Sequence, residues 1–287
     1  MNKDTINAYI SMTKPNIALS VLITTVWGFY FSKGGIYDVS LLFWTLFGTA
    51  LSCGGSSVLN QYLERDVDAL MQRTKYRAIP TGMVSPNNAL YFGIVLVLTG
   101  VFTLIIKVNL LTAFLCLLTA FLYVLVYTPM KRLSWLNTTI GAIPGALPTI
   151  GGWAAASNSI EPGAWILFFI LFTWQHPHFF AISWMYKEDY KKAGFKMLPC
   201  VYPDGFYTFA HMMSFCFACI AFSLMPTMIG MSGKIYFWGA LSIGLLLIIP
   251  TLMFWKNYSI LNARKVLAAS IIYLPLLLFF IILDAIL

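Results

Sequence analysis

Asn60-Gln61-Tyr62-Leu63-Glu64-Arg65-Asp66-Val67-Asp68, followed by Arg73, Lys75 and Arg77, is a polar island in a chain that otherwise reads as lipid-soluble. Asn60, Glu64 and Asp68 recur at every fourth residue, so on a helix they share one face. Two carboxylates and an amide oxygen on one face, with cations just beyond, suit Mg²⁺ bridging to a diphosphate. Arg73, Lys75 and Arg77 are then placed to grip diphosphate oxygens, arginine in bidentate fashion. Asp66 falls on another face and is expected in solvent. The plain alternative is a solvated helix with ordinary ion pairs. The turn formers Pro80 and Gly82 argue against it, because they fold the basic segment back.

The surroundings of this island fix the fold class. The chain has 287 residues, 60% of them hydrophobic and 10% charged, with a mean hydropathy of +0.80. Runs of roughly 20 apolar residues recur, the length of a membrane-crossing helix. Backbone groups in lipid must bond internally, and barrel-type alternation is absent, so the spans are helices. The expectation is an all-α polytopic membrane protein, one domain over 1–287, with nine spans near 16–33, 40–60, 88–106, 109–128, 136–155, 163–185, 208–229, 235–255 and 267–286. Residues before Pro15 lack the pattern of a cleaved signal, so the first span is expected to be retained.

Charge placement orients the spans. With the N-terminus in the cytoplasm, 15 of the 18 basic residues fall in cytoplasmic loops, and only Lys33, Lys107 and Lys234 fall outside. That asymmetry is the positive-inside rule. It accounts for the net charge of +8 without a nucleic-acid surface. Cys216 and Cys219 form a C-x-x-C within an apolar span, with no second pair to complete a zinc site, and read as small helix residues. Two cytoplasmic loops are long, Gln61–Asn87 and Tyr186–Tyr207. They are four spans apart, a spacing that hints at duplication of a helix unit.

Three further segments carry chemistry. Tyr127-Thr-Pro-Met-Lys131-Arg132 joins two spans at the face of the first loop, with Asn137 shortly after; Lys131 and Arg132 read either as site cations or as positive-inside anchors. Gly141, Pro144, Gly145 and Pro148 come next, and they permit close packing or a cavity-lining break. Thr173-Trp174-Gln175-His176-Pro177-His178-Phe179 places costly polar groups inside a span, so a pocket is expected there. Pro177 is expected to kink the helix. His178 is the better candidate to ligate or contact a cofactor metal, imidazole being a common haem-iron ligand, and His176 the weaker. Trp184 to Gly194, including Lys187, Glu188 and Asp189, returns charge to the cytoplasmic face, as a site loop or a solvated one.

Taken together, these segments resemble the UbiA-type intramembrane prenyltransferases, and within them the haem-modifying branch. The likeness is carried by Thr13-Lys14-Pro15, Asn60-x₃-Glu64-x₃-Asp68, Met71-x-Arg73-Thr-x-x-Arg77, Tyr127-Thr-x-x-Lys131-Arg132, Trp174-Gln175-x-Pro177-His178-Phe179, Tyr186-Lys187-Glu188-Asp189-Tyr190 and Ala263-Arg264-Lys265. Tyr186 and Tyr190 stand where quinone-making members carry the outer aspartates of a second acidic motif, so a second fully liganded Mg²⁺ is not implied. Glu64 stands where many relatives have Asp.

The resemblance implies a UbiA-type bundle and transfer of the farnesyl group of farnesyl diphosphate to the vinyl group of haem B, with water added, giving haem O. Haem B is then a substrate rather than a prosthetic group, and Mg²⁺ the cofactor. Asn60, Glu64 and Asp68 would hold the metal. Arg73, Lys75, Arg77, Tyr127 and Lys131 would act on the diphosphate and the carbocation. Arg132, Asn137, Trp174, Gln175, His178, Lys187 and Asp189 would bind substrate. Tyr62, Tyr123 and Phe179 are further aromatic candidates for the pocket. The implied setting is a bacterial inner membrane with the site toward the cytoplasm, and haem A synthase or a terminal-oxidase assembly as partner. The rival readings are a prenyltransferase acting on a quinone precursor or another ring, and a haem or lipid transporter.

Overall fold

The computed structural model describes residues 3–286, and among them there are helices and no strands. In chain order the helices are α1 (Lys3–Met12), α2 (Pro15–Lys33), α3 (Val39–Asp68), α4 (Pro86–Lys107), α5 (Leu110–Phe121), α6 (Thr128–Leu133), α7 (Asn137–Ser157), α8 (Pro162–Met185), α9 (Lys187–Lys192), α10 (Leu198–Val201), α11 (Phe206–Met228), α12 (Lys234–Lys256) and α13 (Ile260–Ile286). A π-helical segment, Leu122–Tyr127, joins α5 to α6 without a break.

Eight of these stretches are long and apolar enough to cross a membrane: α2, α3, α4, α5 through α6, α8, α11, α12 and α13. The ninth expected span is α7. It has 21 residues, but its glycines, threonines and two internal prolines make it less apolar. Its position explains that composition. Most of α7 is buried against α2, α5 and α8, so neighbouring helices rather than lipid face it.

Contacts close two rings. α2, α3, α4 and α5 pack in sequence, and α7 closes the ring against α5 and α2. α8, α11, α12 and α13 form the second ring, with α13 returning to α8. The rings meet where α8 packs on α7 and α2.

Small residues set the tightest contacts, as expected where lipid gives no hydrophobic drive between helices. A Cβ on Gly28 of α2 would come within 1.9 Å of the Thr149 carbonyl oxygen on α7. The reciprocal Cβ on Gly152 would come within 1.9 Å of the Thr25 carbonyl oxygen. Backbone therefore touches backbone here, and only glycine fits at either position.

Three local features depart from the expected outline. α3 does not stop near residue 60 but continues to Asp68, because Gln61 to Asp68 are tolerable helix formers with no Gly or Pro. The polar N-terminal segment is helical. α1 buries Ala8 and Met12 while Ile6 and Ile10 remain exposed. The loop after α8 contains the short helices α9 and α10.

Candidate active site

The carboxylates lie on the last turns of α3. Asn60, Glu64 and Asp68 are buried at 1%, 5% and 0% exposure, whereas Asp66 points to solvent with its side chain 78% exposed. Buried carboxylates need partners. Lys131 Nζ on α6 donates to Glu64 Oε1 at 2.7 Å. Arg77 Nη1 donates to Asp68 Oδ2, also at 2.7 Å. Lys14 Nζ donates to Asn60 Oδ1 at 3.3 Å. The three oxygen-bearing residues on one helix face are thus matched by cations from three separate segments.

The loop after α3 folds back to make this possible. Thr74 Oγ1 donates to the Asp68 carbonyl at 2.9 Å, and Gly82 takes φ 75° in the turn beyond Ile79 and Pro80. Arg77 itself is brought back to Asp68 by the two turns before it, in which the Thr74 and Lys75 N–H groups donate to the Met71 carbonyl and the Arg77 N–H to the Thr74 carbonyl. Lys75 does not join the cluster; its ammonium lies 4.9 Å from the ring centre of neighbouring Tyr76.

Sequence alone does not single out Lys14 as a site residue, because a lysine at the start of a span resembles an anchor. The backbone gives it away. Lys14 takes φ 50° and ψ 64°, the left-handed region that lysine rarely adopts, between α1 and α2. Strain of this kind concentrates at functional sites. Burial, followed by the nearby charges of Arg77 and Lys131, pushes the Lys14 pKa down to about 7. An anion arriving among these three cations would favour their charged forms.

The second loop covers the first. Arg73 donates its backbone N–H to Asp189 Oδ2 and its guanidinium to the Tyr190 hydroxyl, both at 3.4 Å. The guanidinium also lies 5.5 Å and 6.0 Å from the ring centres of Tyr186 and Tyr190. Val67 and Met71 pack against Ala193, Phe195 and Met197. Lys131 lies 4.7 Å from the Tyr127 ring centre and 5.7 Å from that of Phe195. Burial raises the Tyr190 pKa, which keeps its hydroxyl protonated. Lys187 rests on the Trp184 ring at 4.3 Å, and Arg132 is exposed.

Asn137 is fully buried, but its amide serves the scaffold. Its Nδ2 donates to the carbonyls of Ser134 at 2.7 Å and Lys196 at 3.0 Å. With the Lys196 N–H on the Lys131 carbonyl at 2.7 Å, it ties α6 and α7 to the second loop.

The polar groups within α8 divide by what they bond. Gln175 Nε2 donates to the carbonyls of Ala142 and Leu171, each at 3.1 Å. His176 is fully buried, its Nδ1 2.7 Å from the Phe172 carbonyl and its Nε2 3.2 Å from Thr139 Oγ1, with Phe215 stacked on its ring. Trp174 Nε1 donates to the Ser270 carbonyl at 2.7 Å, and its ring packs on His178. His178 Nδ1 lies 3.0 Å from Ser270 Oγ, which itself donates to the Leu267 carbonyl at 2.7 Å. A hydroxyl has one proton, so Ser270 must accept from His178. The proton is therefore on Nδ1, and Nε2 presents its lone pair.

Among the described residues no three of His, Cys, Asp and Glu gather around one point. The α3 face offers two carboxylates and an amide, a donor set that fits Mg²⁺, which keeps waters and takes substrate phosphate oxygens. Asp68 Oδ1 is buried without a hydrogen-bond partner, an orphan that a cation would satisfy.

A helical membrane bundle with an acidic helix face at one end, ringed by cations from three segments, has the build of an intramembrane prenyltransferase. The chain belongs to the UbiA prenyltransferase family, whose model matches residues 21–281. It is 41% identical over 285 residues to a "protoheme IX farnesyltransferase" of Solibacter usitatus, covering 96% of this chain and 98% of that one. A protein of the same name from Aquifex aeolicus is 38% identical, covering 96% and 94%. Among solved structures, one described in work on digeranylgeranylglyceryl phosphate synthase superposes with a TM-score of 0.82 at 18% identity over 99% of both chains. A UbiA homologue from Archaeoglobus fulgidus bound to DMAPP and Mg²⁺ gives 0.67 at 16% identity, covering 95% of this chain and 98% of that one. The fold class and the family expected from the motifs are both met.

Proposed function

We propose that this protein is a protohaem IX farnesyltransferase, joining the farnesyl group of farnesyl diphosphate to the haem B vinyl group with addition of water to give haem O. The observation that carries the reading is the buried Asn60–Glu64–Asp68 face with Lys14, Arg77 and Lys131 converging on it. The name shared by its full-length relatives supports haem as the acceptor. The A. fulgidus structure's ligands support a prenyl diphosphate with Mg²⁺.

Mg²⁺ held by Asn60, Glu64 and Asp68 would neutralise diphosphate charge and make it a better leaving group. Arg77, Lys131 and Lys14, with Arg73 from the rim, stabilise the negative charge that grows on the diphosphate as the allylic C–O bond breaks. Tyr127, beside Lys131, and the neighbouring Tyr123 present ring faces to the allylic cation. The covering loop, through Tyr186, Tyr190 and Phe195, excludes water until carbon–carbon bond formation. The vinyl terminal carbon then bonds to the farnesyl C1. The cation left on the adjacent haem side-chain carbon takes a water oxygen and releases a proton. His178, with Nε2 free, is assigned to the haem, beside Trp174.

The site faces the cytoplasm of a bacterial inner membrane, a reading supported by the 15 basic residues on that side. Hand-over of product to a haem A synthase or an oxidase assembly belongs to the same proposal. Incubating the purified protein with haem B, farnesyl diphosphate and Mg²⁺, and weighing the haem products by mass spectrometry, tests it. A Mg²⁺-dependent hydroxyethylfarnesyl adduct is expected. Prenylation of an aromatic acid instead of haem would overturn the acceptor, and haem binding with no transfer to any ring would overturn the chemistry.

A further inference from the structure

The amide of Asn60 has two unlike ends. Only its oxygen can ligate a cation, so its usefulness depends on which end faces the site. Nothing about a helical asparagine fixes that choice. The neighbouring π-helical segment does.

In a π turn the hydrogen bond runs from residue i+5 to i. Here the Thr128 N–H bonds the Tyr123 carbonyl across Leu122–Tyr127. Thr128 Oγ1 donates to the same carbonyl at 2.9 Å. A carbonyl only accepts, so the hydroxyl proton is committed there. The hydroxyl oxygen is left as an acceptor, and Asn60 Nδ2 donates to it at 3.0 Å. The amide nitrogen is thereby held on the Thr128 side. Its oxygen faces the other way, where it accepts from the Lys14 ammonium at 3.3 Å. Both ends of the amide agree on one orientation, and Asn60 and Thr128 are each almost fully buried.

The π turn also sets the register of α6. An α-helix advances about 100° per residue. The extra residue wound into the turn rotates Thr128 and Lys131 together by about that amount, relative to an unbroken α-helix. In the observed register both meet the α3 face, Thr128 at Asn60 and Lys131 at Glu64.

We propose that Thr128 is a positioning residue, whose hydroxyl, its proton committed to the Tyr123 carbonyl, locks the Asn60 amide with its oxygen toward the metal and diphosphate. This rests on the reading of Asn60 as a metal ligand.

The test uses the full chain in detergent, with Mn²⁺ as a spectroscopic stand-in for Mg²⁺ and a non-hydrolysable farnesyl thiodiphosphate. Mn²⁺ affinity is read by electron paramagnetic resonance, without turnover. Thr128→Val keeps the shape and removes the hydroxyl; it is expected to weaken Mn²⁺ roughly tenfold, the usual scale for losing a partner behind a ligand. Thr128→Ser restores the hydroxyl and is expected to restore Mn²⁺ affinity. Wild-type affinity in Thr128→Val would overturn the lock. So would equal weakening in both variants, since that would assign the effect to the lost methyl. Asn60→Ala separates the two layers. If it leaves Mn²⁺ affinity unchanged, the metal reading itself fails, whatever Thr128 does.

Discussion

The end of α3 and the middle of α8 are both polar stretches in an apolar bundle, yet they satisfy their polar groups in opposite ways. On α3, Asn60, Glu64 and Asp68 are paired with cations 46, 67 and 9 residues away. On α8, Gln175 and His176 bond carbonyls one turn back in their own helix, with Ala142 and Thr139 completing the set. The first arrangement holds its partners by charge, and an incoming metal and diphosphate can take the place of either sign. The second is spent on the scaffold. Only His178 in that stretch keeps a ring nitrogen free, because Ser270 takes the other.

The largest effect expected from this contrast is at the acidic face. Asp68→Asn or Glu64→Gln should lower product formation by on the order of 10²–10³-fold or more, while the protein still inserts. Near-normal turnover in both purified variants would erase the distinction between the two stretches.

Next comes the ion pair itself. Lys131→Met leaves Glu64 charged and buried without its partner, which should lower unfolding stability by about 3 kcal/mol. Adding Glu64→Gln should recover most of that stability but none of the activity. Thermal unfolding in detergent measures the first, and haem product the second. Additive losses would mean that the pair is not coupled.

The histidines should then separate. His178→Ala is expected to weaken haem binding about tenfold or more, read by the haem absorption spectrum, with binding of farnesyl diphosphate kept. His176→Ala should instead lower the melting temperature, since it empties a stacked and doubly bonded core position, a loss of about 2–4 kcal/mol. Loss of both ligands in His178→Ala would move that residue into the scaffold group.

The smallest expected effects are on the rim. Arg73→Ala should raise KM for the diphosphate substrate by about tenfold, because it loses a charge-assisted contact. Lys75→Ala should raise it by about twofold, as a surface cation outside the cluster. Reversal of that order would place Lys75 in the site and Arg73 in the covering loop alone.

The same contrast explains what is legible in the sequence. Lipid imposes a long apolar run, so eight spans appear close to where hydropathy puts them, and α7 is recognisable despite its glycines and prolines because it keeps the length of a span. Regular spacing exposes the Asn60–Glu64–Asp68 face, since a helix repeats. Lys14 and Thr128 stay hidden because their partner is 46 and 68 residues away, and no periodicity links them. The π segment is invisible for a related reason: hydropathy counts residues and does not record register. Sequence shows Asn137 and Gln175 as costly buried amides, but not the backbone carbonyls that take up their NH2 groups.

One dimension of α3 bears on how a two-phase substrate is handled. Its 30 residues span about 45 Å, whereas the hydrocarbon layer is about 30 Å thick. An untilted span of that length has about 15 Å to spare, enough to hold the two and a half turns that carry the acidic face beyond the hydrocarbon. Bringing a fifteen-carbon tail into water would cost roughly 10 kcal/mol at about 0.8 kcal/mol per methylene. For the proposed substrate, an acidic face on such a span would meet the diphosphate head at the bilayer surface while the tail stays dissolved in lipid, and that extraction would not be required.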